Sequence, residues 1–560
     1  MSDTIKHECA VAMLRLLGER DGGADCDAGG TILSLLLEKQ HNRGQDGAGA
    51  AALTPDPEPG SPAWSVFKSA GENPLGDVLA RLARRRRTGE RLFLGHLRYA
   101  TYGKGDETFC HPFVHDSPRL SQALLVAGNF NFTNAGDLFE SFRAAGNHPS
   151  GASDGYLLCE LLAEALAAAA AGPGRTGDPP VLAALRQTLP RLDGAFTLCG
   201  MTGDGWAFAV RDAHGIRPGW YFADSGAVAV ASERPAIQAA LDCPTAAVKE
   251  LEPGVALLVS PGGEVRFERV LDAAEPRPCV FERIYFSRAN DADIHRERKA
   301  LGAALAGPVL RAAGDDLGRT FFSYIPNSAQ VAFHGLLEAL WTEGLAEGRP
   351  VRFGQVAVKD AKFRTFISDA AARREIGKHV YDVTYGLVRP GEDTLVVLDD
   401  SIVRGTTMRD AILPMLDRLG PRRIVVASSA PPIRYPDCYG IDMSSLDELV
   451  AFRALGTLLG ENADRELSAA LESGAENPLA PLYAAFSAEE HAAAVARLLT
   501  PPGMRAQVAV VYQEMDALRR ACPGRTGDWY FTGNYPTPGG RRVLRRALEN
   551  HLARRSGRAY

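Results

Sequence analysis

The 560-residue chain carries 62 Lys+Arg against 68 Asp+Glu, and its formal net charge of −6 gives no electrostatic reason for binding nucleic acid or an anionic membrane. A hydrophobic fraction of 46% with 23% charged residues is ordinary for a soluble globular protein, and the length exceeds one hydrophobic core, so two large domains are expected. No run reaches the ~18 apolar residues of a membrane helix. The 9 cysteines are odd in number, scattered and free of Cys-x-x-Cys pairs, which argues against a disulfide scaffold and for a reducing, cytoplasmic setting.

The leader Met1-Ser2-Asp3-Thr4-Ile5-Lys6-His7-Glu8 has no apolar stretch and makes a poor secretory signal. Cys9 follows it and opens a strand-like run, Cys9-Ala10-Val11-Ala12-Met13-Leu14. Taken alone, such a cysteine is a small buried hydrophobe. Two polar segments follow, Gln40-His41-Asn42-Arg43-Gly44-Gln45-Asp46-Gly47-Ala48-Gly49 and Gly95-His96-Leu97-Arg98-Tyr99-Ala100-Thr101. Between them, Arg84-Arg85-Arg86-Arg87 reads as a solvated helix end. Short apolar runs at 91–95, 123–127 and 206–210 are of strand length, and a Leu-, Glu- and Ala-rich helix is predicted over 153–170, capped by Ser153 or Asp154. This first half reads as an α+β layered domain ending near residue 270.

The second half changes rhythm. Thr394-Leu395-Val396-Val397-Leu398 is an apolar strand ending in Asp399-Asp400, followed by a glycine-containing loop, a helix over about 407–419, and a second strand at 423–429. Strand, loop, helix and strand make a βαβ unit of a doubly wound parallel sheet, and residues 446–500 are predicted helical. Ligands of such sheets sit beyond the carboxyl ends of the strands. Two adjacent carboxylates at that place can hold ribose hydroxyls or organise a metal-bound substrate. The Ser401-Ile402-Val403-Arg404-Gly405-Thr406-Thr407 loop offers hydroxyls, a glycine and N–H groups at a helix start, which suits a phosphate.

The Cys9, 40–49 and 95–101 segments together resemble glutamine amidotransferases of the N-terminal-nucleophile type. The 399–407 stretch resembles the 5-phosphoribosyl-1-pyrophosphate (PRPP) motif of phosphoribosyltransferases, in the version carried by the amidophosphoribosyltransferase family. That family resemblance extends through Asp212-Ala213-His214-Gly215-Ile216-Arg217-Pro218, Ala231-Ser232-Glu233-Arg234, Cys279-Val280-Phe281-Glu282-Arg283-Ile284-Tyr285-Phe286-Ser287-Arg288, Phe363-Arg364-Thr365-Phe366-Ile367, Ser428-Ser429-Ala430-Pro431-Pro432-Ile433 and Cys438-Tyr439-Gly440-Ile441-Asp442, all in family order. It implies a four-layer αββα glutaminase of the N-terminal-nucleophile fold over 9–270. A doubly wound α/β phosphoribosyltransferase domain with a helical C-terminal region would occupy 271–560.

The implied chemistry begins with removal of residues 1–8. A free cysteine thiol has a pKa near 8.5 and an α-amino group near 8, so a processed Cys9 carries its own base, which an amide to Glu8 would abolish. By resemblance, Cys9 is the nucleophile, and Asn129 with the Phe130 N–H forms the oxyanion hole. Arg98 binds the glutamine α-carboxylate, Asp154 its α-ammonium, and Arg43 and Thr101 belong to the same pocket. Most relatives carry Asn-Gly where this chain reads Gly128-Asn129-Phe130-Asn131, and the hole asks only for the N–H of the second residue. Asp399 and Asp400 would hold the ribose and stand beside Mg²⁺ bound through PRPP, Ser401, Arg404, Gly405, Thr406 and Thr407 the phosphate, and the Arg364 loop would close over the substrate.

The activity implied is synthesis of 5-phosphoribosylamine from PRPP and glutamine, the first step of de novo purine synthesis. Partners would be these small molecules, purine nucleotide inhibitors and further copies of the chain in a dimer or tetramer. Alternatives are another class II amidotransferase with a different acceptor, or a non-catalytic PRPP- or nucleotide-binding regulator. Some members of the family hold a [4Fe–4S] cluster. Cys279 and Cys438 stand at two ligand positions, but the Cys-x-x-Cys expected before Phe531-Thr532-Gly533 is absent, and Cys522 lies five residues too early, so no cluster is expected.

Overall fold

The computed structural model describes residues 9–17, 28–54, 57–84, 90–100, 103–151, 153–171, 178–342, 348–359, 381–441 and 443–555. Seven strands make one antiparallel sheet: β1 (Ala10–Leu16), β2 (Gly47–Leu53), β3 (Trp64–Ser69), β4 (Leu92–Arg98), β9 (Trp220–Ala223), β10 (Ala227–Ala231) and β11 (Lys249–Glu250), in the order β11-β9-β10-β1-β4-β2-β3. Six more make a second: β5 (Phe113–His115), β6 (Leu124–Phe132), β7 (Gly194–Thr202), β8 (Ala207–Arg211), β12 (Val255–Val259) and β13 (Val265–Arg269), in the order β13-β12-β8-β7-β6-β5.

Side-chain alternation sorts the layers. Val11, Met13, Leu92, Leu94, Leu125 and Ala127 point between the sheets and form a shared core. Their neighbours Ala10, Ala12 and Leu14 point outward, onto α1 (Ala28–Glu38), α2 (Pro74–Arg84) and α6 (Arg234–Leu241). On the other outer face, Leu124, Val126 and Phe132 pack against α4 (Asp154–Ala171) and α5 (Pro180–Thr188). Helices, sheet, sheet and helices are the expected αββα sandwich.

The second half is built on a parallel sheet of β14 (Thr320–Tyr324), β15 (Arg352–Phe353), β18 (Thr394–Asp399), β19 (Arg423–Ser428) and β20 (Gln507–Tyr512), in the order β15-β14-β18-β19-β20. A two-stranded ribbon, β16 (Ala357–Lys359) with β17 (Tyr381–Val383), lies beside it in sequence. Leu395 and Val397 face one core, while Val396 and Leu398 face another with α8 (Ala306–Ala313) and α9 (Gln330–Thr342). Burial on both faces explains the unbroken apolar runs of β18 and β19. The helix predicted over 407–419 begins with wide turns at Met408–Ile412 and continues as Leu413–Asp417. Pro414 has no N–H to donate into a regular α turn, which accounts for the widening. Helices at Val450–Leu459, Ala463–Glu472, Ala480–Ala484 and Ala488–Leu499 fill the 446–500 segment. Among the described residues no helix is long and apolar enough to cross a membrane.

The halves meet at a π-helical turn, Glu282–Phe286. Arg43, wholly buried, donates through Nε to Glu233 (2.8 Å) and through Nη2 to Glu282 (2.5 Å) and Ser287 Oγ (2.9 Å). Both carboxylates lower the cost of burying this cation, and Arg43 holds the Glu282 carboxyl below the usual range. From the far side, Arg298 of α7 (Ala292–Ala304) donates to the carbonyls of Arg283 (2.8 Å), Tyr285 (3.0 Å) and Ser287 (2.7 Å). Arg234 grips Asp291, which caps α7 through the N–H groups of Asp293 and Ile294. Replacing Arg43 by Met strands two buried carboxylates and should cost about 3–5 kcal/mol, seen as earlier unfolding in urea. The Arg43→Met/Glu282→Gln double variant should recover part of that loss.

Candidate active site

The two polar segments of the first half converge because β2 pairs with β4, with Gly47 opposite Arg98. Asp46 ties the ends together: its N–H donates to the Arg98 carbonyl (3.1 Å) and its carboxylate accepts from the Ala100 N–H (3.1 Å). Extending the β1–β4 register from Ala10 opposite Leu97 puts Cys9 opposite Arg98. Cys9 and Arg98 have the parity of Val11 and Leu94, and Asn129 that of Ala127, so all three belong to the facing surfaces of the two sheets, at one end of the sandwich.

Cys9 Sγ accepts a hydrogen bond from the Tyr99 N–H (3.4 Å). Burial pushes its thiol up to about 11, while the Tyr99 contact and the Arg98 charge pull the other way and the Asp154 charge adds to the rise. A thiol so raised is protonated at neutral pH, and forming its thiolate calls for a base. Arg98 is nearly buried, donates to the Gly103 carbonyl (3.0 Å) and lies over the Phe109 ring. Asp154 opens α4, where the hydroxyl of Ser153 caps the Tyr156 N–H (3.1 Å).

Asn129 is buried on β6, and Phe130 beside it stands opposite Phe196 of β7. Phe196 uses its N–H on the Asp212 carboxylate (3.1 Å) and its carbonyl on the Asp212 N–H (2.9 Å). The Phe130–Phe196 pair is therefore a non-hydrogen-bonded one, and the Phe130 N–H points to the opposite edge of β6. There β5 has already ended, its pairing stopping at Phe113 opposite Val126.

Not every expected residue faces this pocket. Arg43, expected in the same pocket, has its guanidinium at the domain junction, on Glu233 and Glu282. Thr101, Arg364 and residues 1–8 lie outside the described residues.

In the second half, β18 ends at Asp399, half-buried, followed by buried Asp400. Burial raises the Asp400 carboxyl, while the Ser328 and Ser401 hydroxyls and the Arg298 charge favour its ionised form. Ser429 Oγ donates to the Asp400 carbonyl (3.1 Å). Gly405 has φ of 73°, and a Cβ there would meet Leu499 Cδ2 at 2.4 Å, so the turn that presents Thr406 and Thr407 at the helix start requires glycine. Arg404, within this loop, donates through its guanidinium to Glu448 (3.0 and 2.7 Å). Ser328 and Arg298 were not singled out from the sequence, because they act on Asp400, one by a hydrogen bond and one by its charge, from the loop after β14 and from α7.

The residues at the position of an iron–sulfur cluster do not fit one. Tyr530 stands directly before Phe531, its hydroxyl 3.4 Å from Cys279 Sγ while accepting from the Phe281 N–H (2.7 Å) and donating to the Gly527 carbonyl (3.0 Å). Trp529 Nε1 donates to Asp437 (2.8 Å) beside Cys438. Both rings are wholly buried, and burial pushes the Cys279 thiol up to about 12 and that of Cys438 well above the usual thiol value.

No protein-family model matches the chain. The chain is 30% identical over 443 residues to the amidophosphoribosyltransferase of Pasteurella multocida, a match spanning 75% of this chain and 80% of the relative. It is 28% identical over 433 residues to that of Escherichia coli, with the same coverage of 75% and 80%. Among solved structures, the B. subtilis glutamine PRPP amidotransferase complexed with ADP and GMP superposes with a TM-score of 0.68 at 25% identity, over 94% of this chain and 97% of that one. With the αββα sandwich, the parallel sheet and these similarities in hand, the chain belongs to the amidophosphoribosyltransferase family.

Proposed function

We propose that the chain converts glutamine, PRPP and water to 5-phosphoribosylamine, pyrophosphate and glutamate, with residues 9–270 as the glutaminase and 271–560 as the phosphoribosyltransferase. The observation that carries the glutaminase reading is the convergence of Cys9, Arg98 and Asn129 on one end of the inter-sheet face, with the Asp154 charge felt at the sulfur. Removal of residues 1–8 frees the Cys9 α-amino group, which accepts the thiol proton. The thiolate attacks the glutamine carboxamide, whose carbon becomes tetrahedral and whose oxygen becomes an anion facing Asn129 and the Phe130 N–H. One such donor lowers the barrier by about 3–4 kcal/mol. The α-ammonium of Cys9 returns that proton to the amide nitrogen, collapse expels ammonia, and a thioester remains on Cys9 that water hydrolyses to glutamate. Arg98 and Asp154, of opposite charge, select an amino acid by its carboxylate and ammonium.

Ammonia then attacks C1 of the ribose as pyrophosphate departs. Asp399 and Asp400 orient the ribose hydroxyls, while the hydroxyls of Ser401, Thr406 and Thr407 and the Gly405 turn receive the 5-phosphate at a helix start. Among the described residues no group of three or more His, Cys, Asp or Glu side chains forms a protein cage for a metal. Two carboxylates beside a polyphosphate fit Mg²⁺ held largely through the substrate, where it supplies charge neutralisation of the leaving group. Purine nucleotides are the proposed inhibitors, a dimer or tetramer the proposed assembly, and the cytoplasm the proposed site of action. The B. subtilis relative was solved with ADP and GMP, and every described cysteine here is free.

The deciding assay follows glutamate and pyrophosphate together. PRPP with Mg²⁺ should stimulate glutamate release in step with pyrophosphate, and Cys9→Ala should abolish the glutamine reaction while sparing pyrophosphate release driven by ammonium. Glutamate release indifferent to PRPP, without pyrophosphate, would instead mark an amidotransferase with another acceptor, and no release at all a nucleotide-binding regulator. A second expectation concerns pH. In chains that retain residue 8, alkylation of Cys9 by iodoacetamide should climb about tenfold per pH unit up to about 11. Chains whose mass shows Cys9 as first residue should react readily at pH 7–8.

A further inference from the structure

Two buried histidines that the chemistry above does not use hold the peptide immediately before Asn129. His96 on β4 is fully buried, and its Nε2 lies 3.1 Å from the Gly128 carbonyl. A carbonyl only accepts, so Nε2 carries the proton. His111, from the loop before β5, accepts the Gly128 N–H on Nδ1 at 3.2 Å, which puts its own proton on Nε2. The two rings stack with centroids 3.9 Å apart and planes 13° from parallel. His111 also stacks on the Phe130 ring, at 5.2 Å and 27°.

The backbone explains why side chains are needed here. Continuing the β5–β6 register from Phe113 opposite Val126 places His111 opposite Gly128. The ladder stops at Phe113, so Gly128 has no strand on that edge. One imidazole takes its N–H and another, reaching across from the facing sheet, takes its carbonyl. Gly128 itself admits no side chain, since a Cβ would lie 2.7 Å from the Thr197 carbonyl oxygen and 2.9 Å from Phe130 Cδ1. Burial keeps both rings neutral, His96 at about 3 and His111 well below the ordinary value, with Arg98 adding to each depression. Neutrality is required by the geometry, because a protonated His111 has no lone pair for the Gly128 N–H.

We infer that His96 and His111 are positioning residues of the glutaminase, a paired imidazole clamp on Gly128 that aims Asn129 and the Phe130 N–H at the oxyanion. The inference rests on the proposed roles of Cys9, Asn129 and Phe130. It also gives Phe130 a reason to stand where relatives carry glycine: its ring is held by His111, so the backbone beneath it is held as well. A clamp of this kind acts on the tetrahedral state and not on the α-carboxylate or α-ammonium. Its loss should therefore lower kcat and leave glutamine binding alone.

The test uses the full-length processed enzyme. His111→Phe keeps a ring for stacking but removes the acceptor for the Gly128 N–H, and His111→Asn returns an acceptor. Glutaminase kcat should fall about 10- to 100-fold in His111→Phe, with the glutamine KM within about twofold of the parent, and recover at least in part in His111→Asn. Pyrophosphate release driven by ammonium should stay at the parental rate. Parental glutaminase kcat in His111→Phe, or a matched fall in the glutamine and ammonium reactions, would overturn the clamp. If His111→Phe does not fold, His96→Leu against His96→Gln, whose amide can still donate to Gly128, poses the same question. Cys9→Ala and Asn129→Ala separate the two levels. Full glutaminase activity in either removes the oxyanion reading itself, whereas their inactivity beside a parental His111→Phe removes the clamp alone.

Discussion

Arg43 is the pivot on which the two halves turn. A guanidinium with no solvent contact must find its charge compensation inside the protein, and here the two carboxylates come from different places. Glu233 precedes α6 in the sandwich, and Glu282 sits in the π-helical turn that leads out of it. Such an ion pair adds little net stability over an apolar replacement, but it tolerates almost no displacement, because separating the partners leaves charges in a dry interior. Ser287 closes the set by donating to Glu282 at 2.6 Å while accepting from Arg43. Arg298 then holds the Ser287 carbonyl, and its charge is felt at Asp400. Polar contacts thus run from the loop after α1 to Arg298, whose charge, without a direct bond, acts on Asp400 after the end of β18.

The glutaminase pocket owes its layout to strand parity. One-residue alternation puts Cys9, Arg98 and Asn129 on facing surfaces, and the early end of β5 leaves one edge of β6 open. The same strand carries the link to the second domain, since Asn131 Nδ2 donates to the Cys438 carbonyl at 2.6 Å. The proposed oxyanion site and a domain contact are therefore written into consecutive residues of a single strand. The C-terminal helix Pro538–Leu552 adds another tie, where the Gly539 N–H donates to Asp193 at 2.8 Å.

Much of this was legible beforehand, for reasons that are local. Apolar runs of strand length and a capped Leu-rich segment announce β4, β6 and α4, and a strand ending in paired acids before a Gly-Thr-Thr loop announces β18 and the helix after it. Arg43 illustrates the limit. Its motif marks it as a site residue, but whether a guanidinium faces substrate or carboxylate depends on Glu282, 239 positions away in sequence. The contact of Arg404 with Glu448, 44 positions on, is equally hidden in the sequence. His111 was invisible for a subtler reason: its role exists only because β5 stops two residues short of it, and strand ends are the least readable feature of a sequence.

Tyr530 has a consequence for how the junction comes into being. Its ring and hydroxyl occupy the corner between Cys279, Phe281 and Gly527, and its carbonyl accepts from the N–H groups of Arg434 (2.9 Å) and Tyr435 (3.1 Å). A metal cluster at such a corner has to be delivered, inserted and kept from oxidation. A tyrosine arrives with the chain. At this corner the seam between the sandwich and the parallel-sheet half is thereby filled by the protein's own side chains.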